Sequence, residues 1–155
     1  MTKSTKTAKP HNMPWLSPYL IADDVDHLLS FCQKAFGFTP DERVKGDDGK
    51  TWHASMRYRD QVVMMGKINE AEAKNKKANF HSPKVSGVEC PMGLYLYVDD
   101  VDVFYKHAVA NGAKSIDAPQ DMFWGDLVCR LQDPEGYLWS FGTFSGQSHH
   151  GDGCC

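Results

Sequence analysis

The 155-residue chain lacks any apolar stretch near the roughly 20 residues that a membrane-spanning helix needs. It also lacks an excess of one charge, since 17 Lys and Arg residues stand against 20 Asp and Glu residues, a net charge of −3. The first 13 residues are polar and basic, but no apolar run follows them, so we expect no secretory signal. These absences argue against a membrane partner and against a nucleic-acid partner, which would favour a basic surface.

The cysteines lack the spacing of a zinc site or of a disulfide framework. There are five of them, an odd number, and no CxxC pair occurs. We therefore expect reduced thiols and a cytoplasmic protein. The last residues carry metal-binding side chains, but no surrounding framework would hold them in place, and we expect a flexible tail over 146–155; these side chains are His149, His150, Asp152, Cys154 and Cys155.

What the chain does contain is an internal repeat. Residues 22–26, ADDVD, recur as VDDVD at 98–102, an offset of 76. The same offset, without a gap, places Tyr19 on Tyr95 and Gly66 on Gly142. A fixed offset over most of the chain predicts a duplicated structural unit. Hydrophobic residues make up 41% of the sequence, enough for one domain with its own core.

Each unit reads as a strand, a helix and three further strands. Asp24 and Asp100 stand where side-chain oxygens can cap the open amides of a helix, and apolar residues at helical spacing then predict helices over Val25–Phe36 and Val101–Ala110. The alternating stretches that follow predict hairpins. We therefore predict an α+β fold of two tandem βαβββ units, at 14–66 and 92–145, in one domain over 14–145. A flexible N-terminus over 1–13 and a linker over 67–91 complete this division of the chain.

Strand alternation separates two faces of the predicted sheet. Large apolar residues fall on one side, which should pack beneath the helices; they are Leu20, Trp52, Leu96, Trp139 and Phe141. Tyrosine, histidine and small polar residues fall on the other side and would line a concave cavity. Aromatic area with a few polar groups is the composition of a small-molecule site.

The segments Asp121–Asp126, DMFWGD, and Asp133–Trp139, DPEGYLW, are the most specific parts of the sequence. Together with the paired units, they resemble the vicinal oxygen chelate superfamily, which includes glyoxalase I, bleomycin-resistance proteins and extradiol dioxygenases, and in particular its PhnB-like branch. The resemblance covers about residues 14–143. It implies a curved mixed sheet and a homodimer. It does not imply one activity, because the superfamily contains both enzymes and binding proteins.

Metal-dependent members of that superfamily bind a divalent ion with His or Glu at four positions. The resemblance places these positions at Ser17, Met64, Gly93 and Ser140. None of the four offers an imidazole or a carboxylate, and methionine suits only soft ions. We therefore predict that the fold holds no metal ion and no other cofactor.

Strand parity, the repeat and the loop before the second hairpin together indicate a set of ligand-binding residues. These are Tyr19, His53, Ser55, Tyr95, Phe123, Trp124, Cys129 and Ser140.

Several of these residues have a second interpretation. His53 is either a ligand contact, a general base, or a partly exposed strand histidine. Cys129, which the offset of 76 pairs with His53, is either a cavity residue or an inert buried thiol. Phe123 and Trp124 are either an aromatic lid over the ligand or a dimer contact.

Three functions remain open at this level. The first is a metal-free small-molecule binding protein that sequesters an aromatic or cationic ligand. The second is a lyase or isomerase that acts on a carbonyl substrate, with His53 as general base. The third is a structural or regulatory module whose cavity is filled, with Tyr19 and Tyr95 packed against each other.

Overall fold

The computed structural model describes residues 7–67 and 81–146. In these ranges the chain forms eight strands and three helices. The first unit comprises β1 (Tyr19–Ile21), α1 (Val25–Phe36), β2 (Thr39–Lys45), β3 (Thr51–Tyr58) and β4 (Gln61–Gly66). A short helix α2 (Pro83–Ser86) precedes the second unit, which comprises β5 (Leu94–Tyr97), α3 (Val101–Ala110), β6 (Lys114–Asp121), β7 (Asp126–Gln132) and β8 (Leu138–Phe144). None of these helices is long and apolar enough to cross a membrane.

The two units repeat one sheet topology, which confirms the predicted fold. The first sheet has the strand order β1-β4-β3-β2, and the second has the order β5-β8-β7-β6. In each sheet the first strand pairs in parallel with the last, and the remaining pairs are antiparallel. The weakest strands by sequence, β2 and β6, are sheet edges, where Pro40 and Pro119 are tolerated.

Both long helices begin where the sequence predicts. Asp24 accepts a hydrogen bond from the His27 amide at 2.9 Å, and Asp100 accepts one from the Val103 amide at 3.0 Å. These bonds satisfy amides that have no partner inside the helix. At the other end of α1, Gly37 has φ of 73°, a left-handed conformation that favours glycine.

One hydrophobic core joins the two units. Phe36, at the end of α1, lies 4.8 Å from Phe141 and 5.4 Å from Trp139, measured between ring centres, and both partners belong to β8. Helices α1 and α3 also contact each other, and α1 packs on β3 while α3 packs on β6 and β7. Leu20, Trp139 and Phe141 are buried as predicted, and Leu96 is half-buried against the same cluster.

The prediction was wrong for Trp52, whose side chain is 52% exposed. Its parity is that of Ala54 and Met56, which are buried. Trp52 stands at the start of β3, however, and its ring lies near Gly46 in the β2–β3 connection instead of within the core. Alternation assigns a face to a residue, but burial on that face also requires a covering helix.

The repeat does contain a gap, in contrast to the uniform offset of 76. Met64 pairs with Tyr19 and Ser140 pairs with Tyr95, so that offset holds for the first and last strands of each unit. His53 pairs with Gly66, but Gly142 pairs with Val128, so the offset between β3 and β7 is 75. Because neighbouring strand residues point to opposite faces, one residue of shift exchanges the faces.

The structural counterpart of His53 is therefore Val128, and that of Ala54 is Cys129. Cys129 is fully buried on the core face, where burial raises the pKa of its thiol to about 11. Its assignment as a ligand-binding residue was wrong.

Residues 133–137, the inter-unit turn, bind the second unit to the start of the first. The Tyr137 hydroxyl donates to the Ile21 carbonyl at 2.8 Å and lies 3.0 Å from the Ile21 amide, which donates to it. Glu135 accepts from the Asp24 amide at 3.0 Å. Gly136 has φ of 91°, and a Cβ there would lie 2.9 Å from Pro83. The most specific segment of the sequence thus holds the junction of β1 and α1.

Asp133 organises the inter-unit turn from a buried position. Its carboxylate accepts from the amides of Glu135 and Tyr137 at 2.9 and 3.0 Å, and from the Trp139 indole at 2.9 Å. Burial is the largest influence on this group and raises its pKa to about 6, although the three hydrogen bonds oppose the rise.

The raised pKa predicts a pH-dependent stability. The native carboxyl binds a proton more tightly than the unfolded one, so its contribution is complete below about pH 4 and is lost as the pH rises through about 6. Relative to an Asp133→Asn variant, the wild-type free energy of unfolding should fall by up to about 3 kcal/mol across this window. Urea unfolding of both proteins between pH 4 and pH 7 measures it, and parallel pH profiles would contradict it.

Candidate functional site

The outer face of each sheet is the side turned away from the helices. In the first sheet it carries Tyr19, His53, Ser55 and Met64, as the strand register shows. In the second sheet it carries Tyr95, Val128, Arg130 and Ser140. The predicted separation into a core face and a mixed polar and aromatic face therefore holds for most of the strand residues.

A tyrosine lies over a glycine at equivalent places on the two outer faces. The Tyr19 ring covers Gly66 so closely that a Cβ on this glycine would overlap the tyrosine hydroxyl. A Cβ on Gly142 would lie 2.9 Å from the Tyr95 hydroxyl. Glycine is needed at both positions because the rings lie directly on the backbone.

On the first sheet, Tyr19 contacts His53. The Tyr19 hydroxyl lies 3.1 Å from Nδ1 of His53, and the two rings are 5.7 Å apart. Tyr19 is 49% exposed and His53 is half-buried, so a ligand can reach both. In the tautomer that carries its proton on Nδ1, His53 donates to the tyrosine and keeps a free acceptor on Nε2.

On the second sheet, a buried carboxylate collects three neutral donors. Oδ2 of Asp126 accepts from Tyr95 at 2.7 Å, from Tyr97 at 2.9 Å and from the Trp124 indole at 3.0 Å. Only 2% of Asp126 is exposed. Burial disfavours its ionised form, but the three hydrogen bonds outweigh that effect and lower the pKa of Asp126.

The donors to Asp126 are themselves exposed aromatic residues. Tyr95 is 46% exposed, Tyr97 is 55% exposed and Trp124 is 43% exposed. Phe123 packs edge-on against Trp124, with ring centres 4.9 Å apart, and is 74% exposed. These four aromatic residues and Asp126 form what we call the Asp126 cluster. Open rings around a buried negative charge can bind aromatic groups and cations.

The residues predicted from the sequence include Tyr95, Phe123 and Trp124 of the Asp126 cluster but not Tyr97 and Asp126. Parity could have placed Tyr97 on the outer face, because it follows Tyr95 by two residues, but the uniform offset of 76 put Cys129 on that face and therefore assigned Asp126 to the core face. The polar contacts were not readable from the sequence, since the tyrosines come from β5 and the carboxylate from β7.

The remaining predicted residues have more local roles. Ser55 is buried and its hydroxyl accepts from the Glu42 amide at 3.2 Å. Ser140 is half-buried beside Tyr95. Arg57, another outer-face residue, forms an ion pair with Asp41 at 2.8 Å. Tyr19 and Tyr95 are both half-exposed, which does not fit a cavity that they fill.

The four family metal positions do not fit a divalent ion. Met64 and Ser140 each lie beside a tyrosine in the register, Gly93 has no side chain, and the hydroxyl of Ser17 is buried without a hydrogen-bond partner. Within residues 7–67 and 81–146, no three His, Cys, Asp or Glu side chains converge. The tail residues His149, His150, Asp152, Cys154 and Cys155 lie outside the described residues.

The close contact of Tyr95 with Gly142 is testable by adding one methyl group. Gly142→Ala should displace the tyrosine from Asp126 and destabilise the protein by about 1–3 kcal/mol, as overpacking does. In a Tyr95→Ala background the same substitution should cost much less, because the obstructing ring is gone. Urea unfolding of the four proteins gives the coupling, and an equal cost in both backgrounds would refute the contact.

The sequence matches a known protein family and uncharacterised relatives. The family model of the Glyoxalase/Bleomycin resistance protein/Dioxygenase superfamily matches residues 12–141. An uncharacterised protein of Mycobacterium bovis is 35% identical over 129 residues, which cover 83% of this chain and 82% of the relative. A Mycobacterium tuberculosis protein, also uncharacterised, is 35% identical over 129 residues, or 83% of this chain and 74% of the relative.

Solved structures show the same fold. TioX from Micromonospora sp. ML1 superimposes with a TM-score of 0.63 and 25% identity, over 83% of this chain and 97% of TioX. A glyoxalase/bleomycin resistance protein/dioxygenase family enzyme from Burkholderia phytofirmans superimposes with a TM-score of 0.58 and 20% identity, over 80% of this chain and 93% of that enzyme. The second likeness concerns the fold alone.

Proposed function

Because the chain belongs to the Glyoxalase/Bleomycin resistance protein/Dioxygenase superfamily, we propose that it is a metal-free binding protein for an aromatic or cationic small molecule. The Asp126 cluster is the observation that carries this proposal. Its four aromatic side chains are between 43% and 74% exposed, and they surround a carboxylate that has no cation beside it among the ion pairs of the described residues.

The energetics of the Asp126 cluster favour binding over a purely structural role. Exposed aromatic rings offer a large apolar area with few rotatable bonds, so little side-chain entropy is lost when a ligand covers them. Rings held by hydrogen bonds to one carboxylate are also preorganised. The absence of ligating side chains at the four family positions supports a role that needs no metal ion.

A second candidate is a lyase or isomerase of the same superfamily that acts on a carbonyl substrate. The Tyr19–His53 pair favours it, because a histidine oriented through Nδ1 can accept a substrate proton on Nε2. Both candidates place the ligand on the outer face, and both are compatible with a cytoplasmic protein whose described cysteines, Cys32, Cys90 and Cys129, are free thiols.

We further propose that the protein is a homodimer. Several large apolar side chains are at least half-exposed, a property that indicates an association surface in a small domain. They include Trp15, Leu16, Trp52, Met92, Phe123 and Phe144. A second copy would cover part of this area and would close the open outer faces.

The expected assembly is a dimer at micromolar concentration, because monomers would leave this apolar area in contact with water. Light scattering coupled to size-exclusion chromatography measures the mass, for which the monomer contributes 17.4 kDa. A Phe144→Lys variant should weaken the dimer if β8 takes part. A single monomeric mass across the micromolar range would refute the proposal.

The binding proposal is tested by thermal-shift screening of aromatic and cationic compounds, followed by calorimetry. His53→Ala and Trp124→Ala should leave unfolding nearly unchanged and weaken binding of the best compound by about 1–3 kcal/mol. Val103→Ala is the matched control, because this exposed side chain lies on helix α3, on the opposite side of the second sheet from the Asp126 cluster, and should not affect affinity.

The chemical state of the recovered compound decides between the two candidates. A compound recovered unchanged by mass spectrometry supports binding, whereas a chemically altered compound supports the enzyme. Elemental analysis of the same tag-free protein should show no stoichiometric divalent ion; one that survives deletion of residues 146–155 would overturn the metal-free proposal. Equal affinity of Trp124→Ala and wild type would place the site elsewhere.

A further inference from the structure

A cavity of about 350 Å³ lies between the two units, beside the edge strand β5. Its apolar wall comprises Phe38 and Val63 from the first unit, and Leu94, Leu96 and Trp139 from the second. This volume is within the range of small-molecule sites, about 300–1,000 Å³.

The cavity adjoins the Asp126 cluster through two shared side chains. Tyr95 and Tyr97 line the cavity, and the hydroxyl groups of both end on Oδ2 of Asp126. Each of these two tyrosines therefore belongs both to the lining of a largely apolar cavity and to the hydrogen-bonded group around a buried carboxylate. The two features form one site with an apolar part and a negative part.

The charges around this site favour a cation. Arg59 lines the cavity, but its guanidinium is bound to Asp99 at 2.6 Å, so its charge is already paired. Asp60 also lines the cavity, and within the described part of the chain its carboxylate accepts from the Gln61 amide group alone, at 3.1 Å. Asp126 has three neutral donors and takes part in none of the ion pairs between described residues.

The hydrogen bonds to Asp126 also strengthen the attraction of the tyrosine rings for a cation. A phenol that donates to a carboxylate gains electron density in its ring, and the ring face attracts a positive charge through this density. A cation over Tyr95 or Tyr97 would therefore interact with the ring directly and with Asp126 behind it. The ligand does not have to displace the three donors.

We propose that the site takes an amphipathic organic cation, with an ammonium group at the Asp126 cluster and an apolar group in the inter-unit cavity. The inference rests on the proposed binding function and specifies the ligand class.

Three matched probes test it by calorimetry: 4-phenylbutyl-trimethylammonium, its neutral isostere with carbon in place of nitrogen, and 4-phenylbutyrate. Wild type should bind the ammonium probe about 10-fold more tightly than the isostere, a cation–π and charge effect of about 1.4 kcal/mol. The butyrate should bind most weakly. In ¹⁵N-labelled protein, the resonance of the Trp124 indole N–H should shift when a probe binds and should stay unchanged when a probe does not bind.

Four variants separate the two parts of the site. Asp126→Asn should reduce the ammonium preference to about 3-fold or less, because the charge is lost. Tyr97→Phe, which keeps the ring, should reduce it by a smaller factor and serves if Asp126→Asn does not fold. Leu96→Trp should fill the cavity and weaken the binding of the ammonium probe and of its neutral isostere by the same factor. Asp41→Asn removes a carboxylate that does not line the cavity and should have no effect.

The outcomes distinguish this inference from the proposed function. Equal affinity for the ammonium probe and its isostere, tighter binding of the butyrate, or no binding of the ammonium probe each overturns the cation inference. If another aromatic compound still binds and Trp124→Ala weakens it, the proposed function survives that failure. If Asp126→Asn keeps the full ammonium preference, the carboxylate is not the source of selectivity and the inference is wrong.

Discussion

The contact between the inter-unit turn and the junction of β1 and α1 is the constraint on which the other features depend. Two hydrogen bonds join the Tyr137 hydroxyl to the backbone of Ile21, and Glu135 accepts from the amide of Asp24, the residue that caps α1. Asp133 keeps the turn in shape from within the protein. The contact supplies hydrogen-bond partners for the Ile21 and Asp24 backbone groups that it covers. These groups would lose their partners if the two units shifted, so the relative position of the units is specific.

Both the aromatic core and the inter-unit cavity depend on this contact, because each is formed by residues of both units. Phe36 from the first unit reaches Trp139 and Phe141 of the second because the units meet at a fixed distance. Trp139 then contributes both to this core and to the cavity wall, while its indole donates to Asp133. A loss of order in the inter-unit turn would therefore reach the inter-unit cavity through Trp139.

The two outer faces use related geometry for different chemistry. Each carries a tyrosine on a glycine, but the Tyr19 hydroxyl meets a histidine and the Tyr95 hydroxyl meets a carboxylate. The repeat supplies the scaffold twice, and the residues at neighbouring positions give one tyrosine an imidazole partner and the other a carboxylate partner.

The sequence by itself determined the repeated strand and helix order, the capping of both helices and most of the face assignments. These properties depend on local spacing, because alternation, helical periodicity and capping act over a few residues. Only the tertiary structure decided that Cys129 is a core residue, because one extra residue in the second unit shifted the register between β7 and β8. It also decided that Trp52 is exposed and that Tyr97 and Asp126 join the site, since burial and hydrogen bonding between distant strands depend on which segments meet in space.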